Sequence, residues 1–342
     1  MKRNTTTCGL ENNRCDRREA GLLLALQRGL PLEPRPFARL AADLGLTEDT
    51  VLKKTASFLR DGVARRFGAV FDARRLGYDS TLCAVNVPAA AVARVAARLQ
   101  PHPGITHCYQ RSGAPSLWFT MTAPAAALAG EIKAAACLTA PYELLNLPAR
   151  RTFKIGVILD VRKSAGPWPA AAPGAGRLTG SRAAERVFSE RERAVVRRLQ
   201  ENLPLVAEPF AAVAGALHFD PGELLALLNA WQQQGILRRV GLVPYHRKLG
   251  FVVNGMCVWK VPPRRLESAG RIVAAAPAVT HCYARAGHPK FPFNLFAMLH
   301  AQNRRAALAL RDRLATDAGL SGGRMLVSTR EFKKTSPRFF TE

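Results

Sequence analysis

The chain has 342 residues, 48% of them hydrophobic and 22% charged, which excludes both a disordered chain and a single small domain. The formal net charge is +25, split as +11 up to Ala165 and +14 beyond it, so the charge is not a basic tail. Such a surface attracts polyanions: nucleic acid, an anionic membrane, or a small molecule with many carboxylates or phosphates.

Residues 1–15 read as an N-terminal tail. Ala20, Leu23, Leu24 and Gln27 then recur at helical spacing over 16–28, and Gly29 and Pro31 stop the pattern. Phe37, Leu40, Ala41 and Leu44 predict a short helix over 36–44, ended by Gly45. Thr47 caps a third helix that runs through Val51, Leu52 and Leu59 to Gly62. Three helices with a glycine turn before the third predict a helix-turn-helix domain over 16–78, with VARRFGAVFD as a hairpin-like wing.

Residues 79–162 alternate strands and helices. TLCAVNVP, ITHCYQR, SLWFTMT and RRTFKIGVILD read as strands, and AAAVARVAARLQ and PAAALAGEIKAAAC as helices. The order β-α-β-β-α-β is that of a ferredoxin-like domain. An Ala-, Gly- and Pro-rich linker follows over 163–185. The pattern then repeats, with a second helix-turn-helix domain over 186–251 and a second ferredoxin-like domain over 252–336. The fold class is α+β, a tandem repeat of winged helix-turn-helix plus ferredoxin-like βαββαβ domains.

Offsets confirm the duplication. Leu26-Gln27, Leu30-Pro31-Leu32, Pro36-Phe37 and Arg65-Arg66 recur 173 residues on as Leu199-Gln200, Leu203-Pro204-Leu205, Pro209-Phe210 and Arg238-Arg239. His107-Cys108-Tyr109 returns at 174 as His281-Cys282-Tyr283, and Arg151, Phe153 and Lys154 return at 179. The halves differ at Ser116 against Asn294. The loop HPKFPF, with His288 and Lys290, and a counterpart of His246 are absent from the first half.

Seven scattered cysteines without a CxxC pair argue against a disulfide framework or a structural zinc site. The N-terminus has no apolar segment of the secretory type, and no uninterrupted apolar run reaches membrane-spanning length, so a cytoplasmic location without a membrane is expected.

Two functional readings compete. A recognition helix needs basic and amide side chains towards the groove. The first candidate offers Lys53, Lys54 and Arg60, but the second, DPGELLALLNAWQQQG, has no Lys or Arg and opens on Asp220 and Glu223. Its Leu224, Leu225, Leu227, Leu228 and Trp231 suit packing on a partner domain, which argues against sequence-specific DNA binding. The other reading starts from the strands. His107, Tyr109 and Arg111 alternate along one strand and share a face, as do His281, Tyr283 and Arg285. Such a face needs hydrogen-bond partners, a dimer contact or a ligand. Trp118, Trp231 and Trp259 read as core, and His102, His218 and His300 as structural or surface residues.

The runs LPLEPRPFARLAADLGLTEDTV, GVARRFGAVFDARRLGY, GITHCYQR and SLWF, with GILRRVGLVPYHRKLGF, VTHCYAR and FNLFAML in the second half, resemble the siroheme decarboxylases. That family shares the fold of the leucine-responsive/AsnC-type regulators and works as a pair of related subunits or as their fusion, which this chain would be. The resemblance implies conversion of siroheme to 12,18-didecarboxysiroheme in haem d1 or alternative haem biosynthesis, by a carboxy-lyase. A tetrapyrrole-responsive DNA-binding regulator is the alternative.

The resemblance further implies that no added cofactor or protein-bound metal is needed, because the anionic siroheme substrate brings the iron and its ring is the electron sink. It assigns His281 as proton donor with Tyr283 orienting it, and His107 and Tyr109 as their equivalents. An axial contact to the substrate iron is the other role open to either histidine. Arg238, Arg239, Arg285, Arg65, Arg66 and Arg111 would hold carboxylates, their planar forks suiting bidentate contact. His246 and Lys248 would line the pocket. The two halves would pair within one chain, with a homodimer as a further possibility.

Overall fold

The computed structural model describes residues 17–156, 158–160 and 186–341; the expected tail and linker lie outside them. The first half begins with helices α1 (Arg17–Arg28), α2 (Pro36–Leu44) and α3 (Glu48–Arg60). Pro36 opens α2, where its missing N–H costs nothing, and Gly45 closes it in the left-handed conformation. The Thr47 side chain accepts the Thr50 amide at 3.2 Å and caps α3. Strand β1 (Ala64–Phe71) and a 3-10 turn (Ala73–Leu76) lead to β2 (Tyr78–Val85), α4 (Ala89–Leu99), β3 (Ile105–Arg111), β4 (Leu117–Pro124), α5 (Leu128–Thr139) and β5 (Leu144–Ile155).

The second half repeats the series as α6 (Glu190–Leu199), α7 (Pro209–Ala216), α8 (Pro221–Gln233), β6 (Leu237–Pro244), a 3-10 turn (His246–Leu249), β7 (Val253–Trp259), α9 (Pro263–Ala275), β8 (Val279–Arg285), β9 (Leu295–Ala301), α10 (Arg304–Asp317) and β10 (Arg324–Lys334).

The expected wing is not a hairpin. β1 pairs antiparallel with β6 of the other half, with Gly68 opposite Gly241 at the centre of the ribbon. The reason that a glycine follows each repeated Arg-Arg pair by two residues, as Gly68 and Gly241, lies here. A Cβ on Gly68 would stand 2.2 Å from the Glu201 carbonyl oxygen, and one on Gly241 2.5 Å from that of Leu26. The repeated Leu-Pro-Leu segments lock the same ribbon reciprocally. Leu30 N–H donates to the Val240 carbonyl and Leu203 N–H to the Phe67 carbonyl, both at 2.7 Å. The helices of both halves consequently share one core, with Leu22, Leu26, Phe37, Val51 and Phe58 packed with Val195, Phe210, Leu224, Leu228 and Trp231.

The two four-stranded sheets, β3-β4-β2-β5 and β8-β9-β7-β10, close edge to edge into one eight-stranded barrel. β5 pairs with its own neighbour β2 as far as Pro148 and then crosses to β8 from Ala149 onwards. β10 does the same, leaving β7 after Val327 and joining β3 from Ser328. The barrel thereby has no free edge strand. The expected strand over 150–160 is the crossing part of β5, and β5 ends at Ile155. Helices α4 and α5, and α9 and α10, cover the outer faces, each over an apolar layer. One end of the barrel interior is filled by Trp118, Leu145, Met256, Phe291, Phe293 and Phe296.

Among the described residues no single helix is long and apolar enough to cross a membrane; α7 and α8 pass that test only as a pair bent by 105°. Their Phe210, Val213, Leu224, Leu228 and Trp231 lie in the shared core.

Candidate active site

A cavity of about 870 Å³ lies between the barrel and the β1–β6 ribbon. His107, Tyr109 and Arg111 line it from β3, and His281, Tyr283 and Arg285 from β8. The two halves therefore build one site, with Arg65, Arg66, Arg238 and Arg239 reaching it from the ribbon.

Each His-x-Tyr-x-Arg strand carries a bulge. The register slips between Ile105 and His107 against β4, and between Val279 and His281 against β9. A bulge turns two successive side chains to one side. Thr106 thus bonds His107 (Oγ1···Nδ1 2.9 Å) and Thr280 bonds His281 (3.1 Å), leaving both Nε2 atoms free of that contact. His107 and Tyr109 lie 6.1 Å apart, ring to ring, as do His281 and Tyr283. Neither phenol has a protein hydrogen bond among the described residues, and burial pushes both up from the ordinary value, so they are neutral donors.

The histidines do not keep an ordinary proton affinity. Burial, reinforced by Lys334, His281, Arg65 and Arg111, pulls His107 down to about 3. Burial with Arg238, Arg285, Lys154 and Lys334 pulls His281 down to about 4. Both are therefore neutral, because burial disfavours the charged imidazolium and the surrounding cations add to that effect.

The arginines divide by partner. Arg111 donates to the Leu326 carbonyl at 3.0 Å and Arg285 to the Leu147 carbonyl at 2.8 Å, so each latches onto the opposite half. Their Nε atoms are buried without a partner. Arg66 donates to the carbonyls of Gln200 and Ala69, both at 2.8 Å. Arg238 pairs with Asp72 at 2.5 Å, and Arg65 with Glu331 at 3.4 Å. Arg239 makes no hydrogen bond or ion pair among the described residues, and its Nε is buried.

His246 lines the cavity, but Lys248, in the same 3-10 turn, does not; it is exposed. Lys334, missed in the sequence, takes the place expected of it. Its Nζ lies 3.0 Å from His246 Nδ1, and burial beside Arg65 lowers it to about 8. His300, which the sequence reads as a structural or surface residue, is buried, lines the cavity, and sits 4.8 Å from His246, ring to ring. The available signal was its strand face, since it stands two residues after Met298, the partner of His281 in the β8–β9 register.

The loop peculiar to the second half does not cover the cavity. Its Phe291 and Phe293 enter the barrel core, while Lys290 pairs with Glu143 at the surface. Ser116 and Asn294 prove equivalent, each clasping the backbone of one residue, Val87 and Val261 respectively, through its N–H and carbonyl. Trp118 borders the cavity with its indole N–H donated to the Pro115 carbonyl, whereas Trp231 and Trp259 are core. Among the described residues no group of three or more His, Cys, Asp or Glu is placed to hold a metal ion.

The helix units suit packing more than DNA reading. On α3, Lys53 pairs with Asp49, Lys54 with Glu19, and Arg60 with Asp61, so its cations are matched by local acids. Both wing strands are consumed in the ribbon.

Comparison with known proteins agrees with this organisation. Residues 19–65 and 192–238 match the model of the siroheme decarboxylase NirDL-like HTH domain, and residues 75–154 and 248–333 that of the AsnC-like ligand binding domain. A siroheme decarboxylase of Hydrogenobacter thermophilus is 35% identical over 323 residues, covering 94% of each chain. The siroheme decarboxylase NirDL subunit of Paracoccus denitrificans is 34% identical over 316 residues, covering 92% of this chain and 94% of the relative. The crystal structure of the siroheme decarboxylase NirDL in co-complex with an iron-uroporphyrin III analogue superposes with a TM-score of 0.70 at 31% identity, covering 95% of each chain. With its two halves fused and both His-x-Tyr-x-Arg strands facing one arginine-rimmed cavity, this chain belongs to the siroheme decarboxylase family.

Proposed function

We propose that this enzyme removes the carboxylates of two acetate side chains of siroheme, giving 12,18-didecarboxysiroheme for haem d1 or alternative haem biosynthesis. The observation that carries the reading is the single cavity in which two histidines, two phenols and several guanidiniums from both halves converge. A relative of the same organisation binds an iron-uroporphyrin III analogue.

Each step breaks the bond between the methylene carbon and the carboxylate, releasing carbon dioxide. The electron pair left on the methylene carbon delocalises into the macrocycle, and one proton converts the group to methyl. Each carbon dioxide therefore costs one proton. Arg239, without a hydrogen-bond or ion-pair partner among the described residues, and the rim guanidiniums Arg65 and Arg238 take the carboxylates that do not react, while Arg66 stays on the Gln200 and Ala69 carbonyls and adds its charge to the rim. Their pairing offsets the positive field that, together with burial, keeps the imidazoles neutral, and the substrate carboxylates bring negative charge beside them. His107 and His281 then gain protons and become acids towards the reacting carbons. Tyr109 and Tyr283 donate hydrogen bonds beside them. Arg111 and Arg285, each with one arm on the opposite half, hold the two strands together and turn the rest of the fork towards the substrate.

Iron enters and leaves with the substrate, and the reading adds no resident cofactor. One chain already contains both halves of the site, so a homodimer is not needed for turnover. The work is cytoplasmic in this reading, without DNA or membrane partners.

The test is anaerobic incubation with siroheme and mass analysis of the pigment. Loss of two carbon dioxides is expected, and an unchanged mass overturns the proposal. His281→Ala is expected to bind the pigment and lose turnover; undiminished turnover removes His281 from the chemistry.

A further inference from the structure

The two ends of the cavity look equivalent along the His-x-Tyr-x-Arg strands but not behind them. In the second half a file of hydrogen bonds reaches His281 from β10. Ser328 Oγ lies 3.4 Å from Asn254 Oδ1, which directs the Asn254 amide nitrogen at His300 Nε2, 3.5 Å away. An amide N–H can only donate, so Nε2 of His300 is the acceptor and its proton sits on Nδ1. That Nδ1 lies 3.4 Å from Thr280 Oγ1. The hydroxyl accepts there, and its own hydrogen serves His281 Nδ1 at 3.1 Å, the nearer of two acceptors; the Met298 carbonyl is at 3.3 Å.

The first half has no such file. The strand registers place Thr122 where the second half has His300, and Ser80 where it has Asn254. Thr106 bonds His107, but nothing among the described residues donates to its hydroxyl in turn. Either nitrogen of His107 can carry the proton.

We propose that Asn254, His300 and Thr280 are positioning residues that fix His281 in one tautomer, with the proton on Nε2 facing the cavity, while His107 is left unconstrained. The two ends of the site are then unequal. His281 meets an incoming carboxylate as a fixed hydrogen-bond donor, and the acetate seated against it is oriented before the other. The groups facing His300 are His246 from the 3-10 turn, Lys334 from β10, His281 from β8 and Arg111 from β3. None of them carries a negative charge, and the one hydrogen-bond contact of His300 Nδ1 among the described residues is Thr280 Oγ1.

The functional part of this inference rests on the siroheme reading, but its structural part does not, and the test separates them. Histidine NMR on ligand-free, 15N-labelled protein is expected to show His281 in the Nε2–H form. Thr280→Val and His300→Gln are expected to turn that signal into a mixture, and Thr280→Ser to restore it. An Nδ1–H signal for His281 in the unaltered protein, or no change in Thr280→Val, overturns the proposal without reference to any substrate. In turnover with siroheme, Thr280→Val is expected to lose about tenfold in kcat with KM within about twofold, and to accumulate singly decarboxylated pigment. Thr280→Ser is expected to recover most of the rate. Equal rates for Val and Ser at 280 overturn the functional part. Unaltered protein that turns over no siroheme overturns the decarboxylase reading and leaves the NMR result standing.

Discussion

Gln27 holds the backbone of Leu159 from both sides, donating to its carbonyl at 3.1 Å and accepting its amide at 2.8 Å. Gln200 does the same for Phe339, at 3.3 and 2.9 Å. Gln27 is buried in α1 and Gln200 at the C-cap of α6; each anchors the segment that follows a crossing strand, and the Phe339 segment forms part of the cavity wall. The repeated Leu-Gln pair thus couples the helix core to the site. Replacing Gln200 by Ala strands a buried N–H and a buried carbonyl. A loss of about 2–3 kcal/mol in a urea melt is expected, and a change below the error of the melt contradicts this role.

Arg66 and Arg239 are repeat equivalents with opposite commitments. Arg66→Gln is expected to lower stability by about 2 kcal/mol, because two carbonyls lose their donor. Arg239→Gln is expected to leave the melt unchanged and to weaken pigment binding about tenfold, since its guanidinium has no described protein partner. Titration of pigment absorbance against each variant separates the two effects.

The ribbon glycines tolerate no side chain. Gly68→Ala forces a methyl onto the Glu201 carbonyl, which is backbone and has little room to retreat. The expected cost is about 2–3 kcal/mol, read as a lower denaturation midpoint. An equal midpoint would show that the ribbon and α6 separate freely.

Acid should weaken the fold through its neutral histidines. His107, His246 and His281 are held down to about 3, 3 and 4, against an ordinary value near 6.5. Between about pH 6.5 and pH 4 the unfolded chain binds protons that the native protein refuses, so stability falls as pH falls through that window. Urea midpoints at pH 7 and pH 5 check the sign.

Binding should run the same linkage in reverse. Substrate carboxylates raise the proton affinity of the imidazoles, so proton uptake on pigment binding is expected near pH 6.5. Calorimetry in two buffers of different ionisation enthalpy measures it. Zero uptake would mean that the histidines remain neutral in the complex.

The helices, their caps and the duplication were legible because they rest on local chemistry: periodic apolar positions, Thr47 and Asp220 at N-caps, and matches at a constant offset. The shared face of His, Tyr and Arg followed from strand alternation, the attraction for a polyanion from the net charge, and the choice of rim arginines from the family resemblance. The closure of two sheets into one barrel was not legible, since β5 and β10 read as ordinary last strands and only their crossing partners reveal the swap. For the same reason Lys248 looked like a pocket residue and Lys334 did not. Which cation enters a cavity depends on register between strands far apart in sequence. The bulges at Thr106 and Thr280, the neutrality of the histidines and the file behind His281 are likewise long-range. Bulge placement, burial and hydrogen-bond direction are properties of packed neighbours, and the linear chain carries them only as scattered Thr, Asn and His residues with no periodicity of their own.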